Sequence, residues 1–514
     1  MGWFKHTGAH HVVLAVLGLA AALLFSPLGP GAAYAQAQTL VVAQDADAVS
    51  LDPHMGNDMR SLRVIAQIYD TLVVQGDDLE LRPNLAESWE PVDDRTWEFR
   101  LRQGVTFHNG QSLTAHDVKF TFDRLRDPAT RAAATILSAV EAVEVVDDYT
   151  VRIRTAFPFA PILHHLAHPA ASILDEDTVR AAGNDYGTRI VVGTGPFRFD
   201  GWVAGSHITL KRHDTWWGGT STLEEIVFRS IPDDTVRAIE LETGGVDIAY
   251  MLDPISVSWL QDVPGVHIHT VETFSSDFII FNVQKEPLND VRVRQAIHHA
   301  IDVDTLVDVL YEGQAVRAAG PLSPRIFGAH PDLAPYAYDP DRARALLAEA
   351  GYPDGFRITL WTNEAPLRMQ LAEVVQENLR AVGITADIQV MEWGAFVHET
   401  GAGRHDMAIL GWMVLTGDAD YGLYPLFHSS QQGAAGNRSF YSNPRVDELL
   451  ERGRANSDPE VRLAAYREAQ EIIRDEVPMV FLVHVQDATG IRDSVAGFVA
   501  NPTRIHRLVH VTKR

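Results

Sequence analysis

The sequence predicts an α/β protein, because strand and helix patterns alternate from one end of the chain to the other. Its length of 514 residues predicts more than one lobe. Residues 357–362 and 384–390 read as strands, and between them Pro366–Val382 repeats apolar residues at helical spacing. Such a unit implies two parallel strands joined by a right-handed crossover. No internal repeat or long Ser/Gly linker interrupts the 514 residues. We therefore expect a chain that passes between its lobes more than once.

Other segments repeat this alternation of strands and helices. In residues 96–102, Trp97, Phe99 and Leu101 alternate with charged residues, which predicts a half-buried strand. The stretch from Thr114 to Asp117 has the spacing of a capping box and predicts the start of a helix. Further strands are predicted at 150–156 and 207–212, and a further helix from Pro459 to about Arg474.

Composition excludes several classes of function. The chain has 43 Lys and Arg against 68 Asp and Glu, a formal net charge of −25, and no cysteine. The negative charge argues against nucleic acid and anionic membrane surfaces as partners, since both reward clustered Lys and Arg. Without cysteine there is no thiol nucleophile, disulfide, iron–sulfur cluster or Cys-bound zinc. A lipidated N-terminal Cys is excluded for the same reason, so the protein is not expected to be lipid-anchored through Cys.

The first 35 residues have the pattern of a secretory signal peptide. Lys5 is followed by the apolar run 12–25, a Pro/Gly break, and small residues at Ala33 and Ala35. Cleavage is expected between Ala35 and Gln36. The alternative is an uncleaved membrane anchor, but 14 apolar residues span about 21 Å of helix, short of a hydrocarbon core of about 30 Å. We expect an exported protein that is soluble after cleavage.

No enzyme motif stands out in the sequence. There is no G-x-S-x-G nucleophile elbow, no phosphate loop ending in Gly-Lys-Ser/Thr and no His-Glu-x-x-His helix. Gly193 and Gly195 have part of the rhythm of a dinucleotide loop, but Pro196 and the missing third glycine favour a turn. A secreted hydrolase remains an alternative, supported only by the many acidic residues and histidines. We predict no enzyme activity and no cofactor.

Histidine pairs raise the question of a metal site. The chain contains 22 histidines, among them His267 and His269, which would point to one face of a strand. A metal site needs further ligands, and none stands at a recognisable spacing. Paired acids such as Asp93-Asp94 and Asp233-Asp234 lie in polar turn contexts and are poor acid/base partners. The sequence therefore predicts no metal site.

Six stretches of the sequence, taken in order, carry a resemblance to a known family. They are AESWEPVDDRTWEFRLRQGVTFHNGQSLTAHDVKFTFDRLRDP (86–128), GTGPFRF (193–199) with TWWGG (215–219), ETGGVDIAY (242–250), FNVQKEPLNDVRVRQAIHHAID (281–302), DPDRARALLAEAGYPDGF (339–356) and DMAILGWMVLTGDADYGLYPLFHS (406–429). Each alone would be a weak match, but together they cover essentially all of 39–512. In this order they resemble the family 5 extracellular solute-binding proteins, the peptide, glutathione and nickel receptors of ABC importers.

The resemblance implies a two-lobe periplasmic binding protein of type II-like architecture, with an extra subdomain inserted in the first lobe. Lobe one would comprise 39–69, 192–276 and 480–514, the inserted subdomain 70–191, and lobe two 277–479. Two crossovers, near 275–281 and 480–485, would form the hinge. In such a receptor the ligand contacts both lobes and stabilises the closed form, which the importer recognises.

The resemblance also suggests where a ligand would bind. Dipeptide-binding relatives place an Asp three residues after a Gly-Trp pair to hold the peptide ammonium, but here that position is Leu415. The Arg that clamps the peptide carboxylate falls near Asn363. Both departures argue against a simple dipeptide receptor, and the segments 416–429 and 436–444 look most like the branch labelled glutathione-binding. The expected ligand-binding residues are Trp393, Trp412, Asp418, Asp420, Tyr421, Asn437 and Arg438.

Roles follow from the chemistry of these side chains. Asn437 and Arg438 would grip a ligand carboxylate, because Arg offers a planar two-point fork. Asp418 or Asp420 would take an ammonium, and the alternative role for either is to cap a helix or turn. Trp393 and Trp412 would form apolar walls, although tryptophans also serve as core.

The predicted function is the periplasmic substrate-binding component of an ABC importer for a short peptide or a glutathione-like ligand. A nickel or metal-chelate receptor of the same family is the alternative within this class. The partners would be the permease and ATPase subunits, with a monomeric receptor that diffuses freely in the periplasm.

Overall fold

The computed structural model describes residues 38–55, 58–127 and 134–514. The predicted signal peptide, residues 1–35, and its cleavage position between Ala35 and Gln36 lie outside the described residues. Within the described part of the chain, no helix is both long enough and apolar enough to span a membrane.

Helices and strands alternate along the described chain, as the sequence predicts. The helices are α1 (Met59–Ile68), α2 (Ala115–Arg126), α3 (Ile162–Leu166), α4 (Glu176–Ala182), α5 (Asp234–Thr243), α6 (Pro254–Leu260), α7 (Val291–Ala300), α8 (Val303–Val309), α9 (Pro340–Glu349), α10 (Pro366–Arg380), α11 (Trp393–Gly401), α12 (Ala419–Phe427), α13 (Pro444–Ala455) and α14 (Pro459–Glu476).

The strands are β1 (Thr39–Gln44), β2 (Val73–Gln75), β3 (Leu81–Pro83), β4 (Ala86–Asp93), β5 (Thr96–Leu101), β6 (Val140–Asp147), β7 (Thr150–Thr155), β8 (Phe197–Val203), β9 (His207–Arg212), β10 (Glu225–Ser230), β11 (Ile248–Ala249), β12 (Val266–Phe281), β13 (Ala315–Arg317), β14 (Arg357–Asn363), β15 (Thr385–Met391), β16 (Met407–Met413), β17 (Met479–Arg492), β18 (Val495–Ala496) and β19 (Thr512–Lys513).

One sheet of 11 strands runs through the molecule in the order β15-β14-β16-β12-β17-β11-β1-β10-β9-β8, with β13 paired to β17. Its centre is the antiparallel pair of β12 and β17, which are 16 and 14 residues long. These two strands therefore connect one half of the sheet to the other. Their register is irregular near the middle, because Glu272 pairs with Gln486 but Ser276 pairs with His484.

The predicted strand–helix–strand unit is confirmed. Strands β14 and β15 pair in parallel, with α10 between them in sequence. The predicted capping box is also confirmed, since Thr114 and Asp117 exchange hydrogen bonds at the start of α2. In β5, Phe99 and Leu101 are buried while Arg100 is exposed, which is the alternation expected of a half-buried strand.

Apolar side chains pack into four cores. One core surrounds β1 and β8–β11 and draws on residues from Leu40 to Val511. A second belongs to residues between Leu72 and Ile173, around the separate four-stranded sheet β4-β5-β7-β6. The remaining two draw on residues from Phe274 to Val483 and include alternate residues of β12 and β16, such as Ile279 and Ile280. Because successive strand residues face opposite ways, these two cores lie on the two faces of that half of the sheet.

Candidate functional site

The candidate site lies at the carboxyl-terminal ends of strands β14, β15 and β16 of the main sheet. These strands run parallel, so their carboxyl ends meet at one edge, and α10, α11 and α12 follow them directly in the chain. In open α/β sheets, ligands bind outside the carboxyl ends of the strands. Trp393 is the first residue of α11, and Trp412 is the residue before the end of β16 at Met413. The fold thus brings both predicted tryptophans to this edge.

Trp393, Trp412 and Arg438 line a single cavity of about 220 Å³, which we call the tryptophan cavity. Trp393 is 50% exposed and stacks on Phe396, with 5.8 Å between ring centroids. The Trp412 Nε1–H donates to the Tyr421 carbonyl at 2.9 Å, which fixes the indole against the wall. Most of the remaining wall is apolar and consists of Phe278, Ile280, Val397, Leu410, Leu426 and Met479.

Arg438 brings a positive charge to this apolar cavity. Its Nε atom is buried and has no hydrogen-bond partner among the described residues. Burial lowers the pKa of the Arg438 guanidinium from its ordinary value. A desolvated guanidinium gains strongly from an anionic partner, so the cavity is suited to a ligand with an apolar part and a carboxylate.

Asn437 is fully buried and is occupied by its own loop. Its Nδ2 donates to the carbonyls of His428 at 3.1 Å and Tyr441 at 2.9 Å. Its Oδ1 accepts from the Ser439 hydroxyl at 2.9 Å and from the Tyr441 backbone N–H at 3.2 Å. These four bonds use the hydrogen-bonding capacity of the amide. Asn437 therefore holds the loop that presents Arg438, whereas the sequence had suggested a direct grip on the ligand.

The two acids expected to hold an ammonium are both paired with arginines. Asp418 is fully buried, and Arg462 Nη2 lies 2.8 and 2.7 Å from its two carboxylate oxygens. Asp418 also caps α12 by accepting from the Asp420 backbone N–H at 2.9 Å, the capping role considered in the sequence. Asp420 is 2% exposed and lies 3.1 Å from Arg454 Nε.

The pKa values of the two acids move in opposite directions. Burial acts to raise the pKa of Asp418, but the Arg462 guanidinium holds it below its usual value. Burial raises the pKa of Asp420, which Arg454 offsets only in part and the neighbouring Asp418 charge raises further. Neither carboxylate is among the residues that line the tryptophan cavity. Both carboxylates are thus held in internal ion pairs with arginines, away from the tryptophan cavity.

Tyr421 lies behind the cavity wall. Its ring centroid is 5.7 Å from that of Trp412, and it meets His165 edge-on at 6.0 Å. Burial raises the pKa of the Tyr421 phenol. Since its carbonyl accepts the Trp412 indole hydrogen bond, Tyr421 supports the orientation of that tryptophan.

A second guanidinium at the same sheet edge was missed in the sequence. Arg368, in the first turn of α10, donates from Nη1 to Asn363 Oδ1 at 3.2 Å, and its Nη2 lies 3.8 Å from Asp277 Oδ1. The sequence held a signal for Arg368, because this arginine follows Asn363 by five residues. Asn363 is the position near which the resemblance to dipeptide-binding relatives predicts an arginine. Only the three-dimensional structure shows that the Arg368 side chain, in the first turn of α10, contacts Asn363.

A second concavity, which we call the Arg507 pocket, has a volume of about 80 Å³. Its walls come from residues 66–77, 164–172 and 501–507, together with Leu415. Arg507 Nη2 donates to Asp70 Oδ1 at 3.0 Å in this wall. None of the ligand-binding residues predicted from the sequence lines this pocket.

The histidine pair that raised the question of a metal site lies on the surface. His267 Nε2 lies 2.5 Å from Asp493 Oδ1, and both side chains are exposed. Among the described residues, no group of three or more His, Asp or Glu side chains is arranged to hold a metal ion.

A sheet shared by two halves, with a cavity near the carboxyl ends of its strands, is the arrangement of the two-lobed periplasmic binding proteins. Residues 80–434 match the family model described as bacterial extracellular solute-binding proteins, family 5 Middle. The chain belongs to this family of extracellular solute-binding proteins, which serve as periplasmic receptors of ABC importers.

Individual relatives agree over nearly the whole chain. The chain is 32% identical to the glutathione-binding protein GsiB of Escherichia coli (strain K12), over 96% of this chain and 97% of the relative. The structure of the periplasmic binding protein DppA from Helicobacter pylori, in complex with the peptide STSA, is similar with a TM-score of 0.82. That match has 33% identity and covers 92% of this chain and 98% of the other. HbpA2 from Haemophilus parasuis gives a TM-score of 0.84 at 29% identity, covering 93% and 100%.

Proposed function

We propose that the protein captures a short peptide or a glutathione-like ligand between its two lobes and delivers it to the membrane subunits of an ABC importer. The observation that carries this proposal is the desolvated Arg438 guanidinium, whose Nε has no hydrogen-bond partner in the part of the chain that the structure describes, beside a cavity walled by Trp393 and Trp412. An apolar pocket with a few converging polar groups is the usual form of a small-molecule site. The ligands named for GsiB and DppA, glutathione and a peptide, support the same class.

We further propose that lobe one comprises 39–69, 192–276 and 480–514, that 70–191 form the inserted subdomain, and that 277–479 form lobe two. The separate apolar cores support this division. The hinge would lie at the two crossovers near 275–281 and 480–485. The irregular register of β12 and β17 beside Ser276 supports this position. A hinge needs a few positions that absorb backbone rotation, and an interrupted ladder supplies them.

The proposed roles of the site residues follow from their contacts. Trp393 and Trp412 form walls for an apolar ligand group, and Arg438 binds a carboxylate. Asn437 positions the loop of Arg438. Three further residues, Asp418, Asp420 and Tyr421, support the corner between β16 and α12 from behind the cavity.

We also propose that residues 1–35 direct export, with cleavage between Ala35 and Gln36, and that the receptor works as a monomer in the periplasm without a lipid anchor. Its partners would be the permease and ATPase subunits of the importer. We propose no catalytic activity and no cofactor. The absence of cysteine from the chain supports the unanchored form.

The ligand class can be tested directly. Mass spectrometry of the solute released from purified, denatured protein should find a peptide or a glutathione-like compound. Titration calorimetry with glutathione, tripeptides and dipeptides should then rank them. A bound ligand stabilises the folded state, so the melting temperature should rise with the same ranking.

The site is tested by substitution of Arg438. Arg438→Ala should weaken binding of the identified ligand about tenfold or more, since hydrogen bonds to charged groups contribute about 1.5–3 kcal/mol. Arg404→Ala is the matched control, because Arg404 is exposed and pairs with Glu399 on the surface. Unchanged affinity in the Arg438 variant would show that the carboxylate binds elsewhere.

A further inference from the structure

The Arg507 pocket contains a charged side chain held in an unusually complete network. Asp70 is buried, and its carboxylate accepts four hydrogen bonds. Oδ2 accepts from the Trp216 Nε1–H at 3.2 Å, the Trp217 Nε1–H at 3.1 Å and the Thr194 hydroxyl at 3.2 Å. Oδ1 accepts from Arg507 Nη2 at 3.0 Å. A carboxylate has about four lone-pair sites, so Asp70 is saturated by these donors.

This network fixes the guanidinium of Arg507 at the pocket wall. Asp70 engages one of the five N–H groups of Arg507, and the side chain is 27% exposed, so part of its planar edge faces the pocket. A guanidinium already oriented by a buried carboxylate loses little entropy when it binds a second anion. Arg507 is therefore suited to recognise a carboxylate of the ligand.

An exposed carboxylate lies on the same pocket. Asp77 lines it and is exposed, which leaves it available to a cationic group. The two histidines of the wall do not add charge at neutral pH, because burial lowers the pKa of His168 to about 3 and also lowers that of His164. The pocket thus offers one oriented cation, Arg507, and one accessible anion, Asp77.

We propose that the Arg507 pocket binds an α-amino-acid head group, with Arg507 holding the carboxylate, Asp77 holding the ammonium, and Asp70 acting as the positioning residue for Arg507. This inference rests on the proposed function and narrows its ligand class. In an ordinary α-linked peptide, the N-terminal residue has its carboxylate converted to an amide. A γ-linked glutamyl residue keeps ammonium and carboxylate on one carbon, so the pocket selects γ-glutamyl peptides.

The tryptophan cavity is within reach of the same ligand. Leu415 lines the Arg507 pocket and follows Trp412 of the tryptophan cavity by three residues, a chain distance of at most about 11 Å. A γ-glutamyl peptide carries a second carboxylate at its C-terminus. Arg507 would therefore bind the carboxylate of the head group, and Arg438 would bind the C-terminal carboxylate.

Linkage isomers provide the sharpest test. γ-Glutamyl-cysteinyl-glycine and α-glutamyl-cysteinyl-glycine have the same atoms and the same charge, and differ only in whether the head group is free. Titration calorimetry under reducing conditions should show that the wild-type full-length receptor prefers the γ isomer by about 10- to 100-fold, the range expected for hydrogen bonds between charged groups. N-acetylated γ-glutamyl-cysteinyl-glycine, which lacks the ammonium, should bind more weakly than the unmodified γ isomer.

The variants assign this preference to named residues. Arg507→Met should abolish the preference between isomers while leaving binding of the α isomer nearly unchanged. Asp77→Asn should remove the penalty of N-acetylation, and Asp70→Asn should reduce the isomer preference through loss of Arg507 orientation. Arg180→Met, an exposed arginine paired with Glu176, is the control and should keep the full preference. If Arg507→Met does not fold, Arg507→Lys keeps the charge without the planar fork and should still lower the preference.

The outcomes separate this proposal from the broader one. Equal wild-type affinity for both isomers, or an Arg507 variant that weakens both equally, would overturn the head-group assignment and leave the peptide receptor intact. Binding of neither isomer nor of any other peptide would overturn both proposals.

Discussion

Arg462 and Asp418 form a buried ion pair between the start of α14 and the cap of α12. Arg462 Nη2 lies 2.7 and 2.8 Å from the two oxygens of Asp418, and the side chains are 7% and 0% exposed. The Arg462 Nε–H also donates to the Gly453 carbonyl at 2.9 Å. This pair fixes the chain beyond β16, and so the position of the segment between Trp412 and Leu415 that contributes to both cavities.

Removing one partner of this pair should be costly. Arg462→Met leaves the Asp418 carboxylate buried without its counter-charge, and breaking such pairs typically costs about 3–5 kcal/mol of unfolding free energy. Urea unfolding should measure the loss. Arg445→Met is the control, since Arg445 pairs with Glu468 on the surface, where a pair contributes about 0–1 kcal/mol. Equal losses in both variants would contradict the assigned importance of burial.

Stability should fall as the pH is lowered below about 6.5, partly through buried histidines. Burial lowers the pKa of His298 to about 3, while an unfolded histidine titrates near 6.5. Between these values the unfolded state binds the proton and the folded state does not, so acid favours unfolding. His298 thus stabilises the folded state above about pH 6.5, and this contribution is lost as the pH falls toward 3.

His298→Gln should flatten this dependence. Glutamine retains an acceptor for the Phe481 backbone N–H, which donates to His298 Nε2 at 3.3 Å, but it does not titrate. The slope of unfolding free energy against pH should decrease by up to about 1.4 kcal/mol per pH unit. His116→Gln is the control, because His116 is exposed on α2. An unchanged slope for the His298 variant would show that this residue is protonated in the folded state.

Loss of the α2 capping box should destabilise the apolar core around the four-stranded sheet β4-β5-β7-β6. The Thr114 hydroxyl accepts from the His116 backbone N–H at 3.3 Å, and the Thr114 backbone N–H donates to Asp117 Oδ2 at 2.9 Å. Thr114→Ala should therefore cost about 1 kcal/mol in urea unfolding. Thr114→Ser keeps the hydroxyl and should remain close to wild type, so a large loss in the serine variant would point to packing instead.

Trp393 should report ligand binding without contributing much to stability. Its ring is 50% exposed at the tryptophan cavity, so Trp393→Phe should change the unfolding free energy by less than about 1 kcal/mol. The ligand-induced change in tryptophan fluorescence should be largely lost in this variant. Trp89→Phe, in β4 of the separate sheet, should leave that change intact. A full response from the Trp393 variant would place the ligand away from this wall.

Part of the candidate site could be predicted from the sequence. The sequence predicts Trp393, Trp412 and Arg438 as ligand-binding residues, and the structure brings all three to one cavity. The ion pair that occupies the Asp418 carboxylate could not be predicted, because its partner Arg462 lies 44 residues away in the chain. Arg507 was missed for a similar reason, since Asp70 precedes it by 437 residues.

The sequence by itself determined the local elements and the family. Apolar periodicity set α10 between β14 and β15, and the Thr114 to Asp117 spacing set the start of α2, because these depend on neighbours a few residues apart. Only the tertiary structure decided which charges stay available to a ligand. Arg462 occupies the Asp418 carboxylate, Asp70 anchors Arg507, and Arg438 Nε has no partner among the residues that the structure describes. Such long-range pairing leaves no periodic trace in the chain.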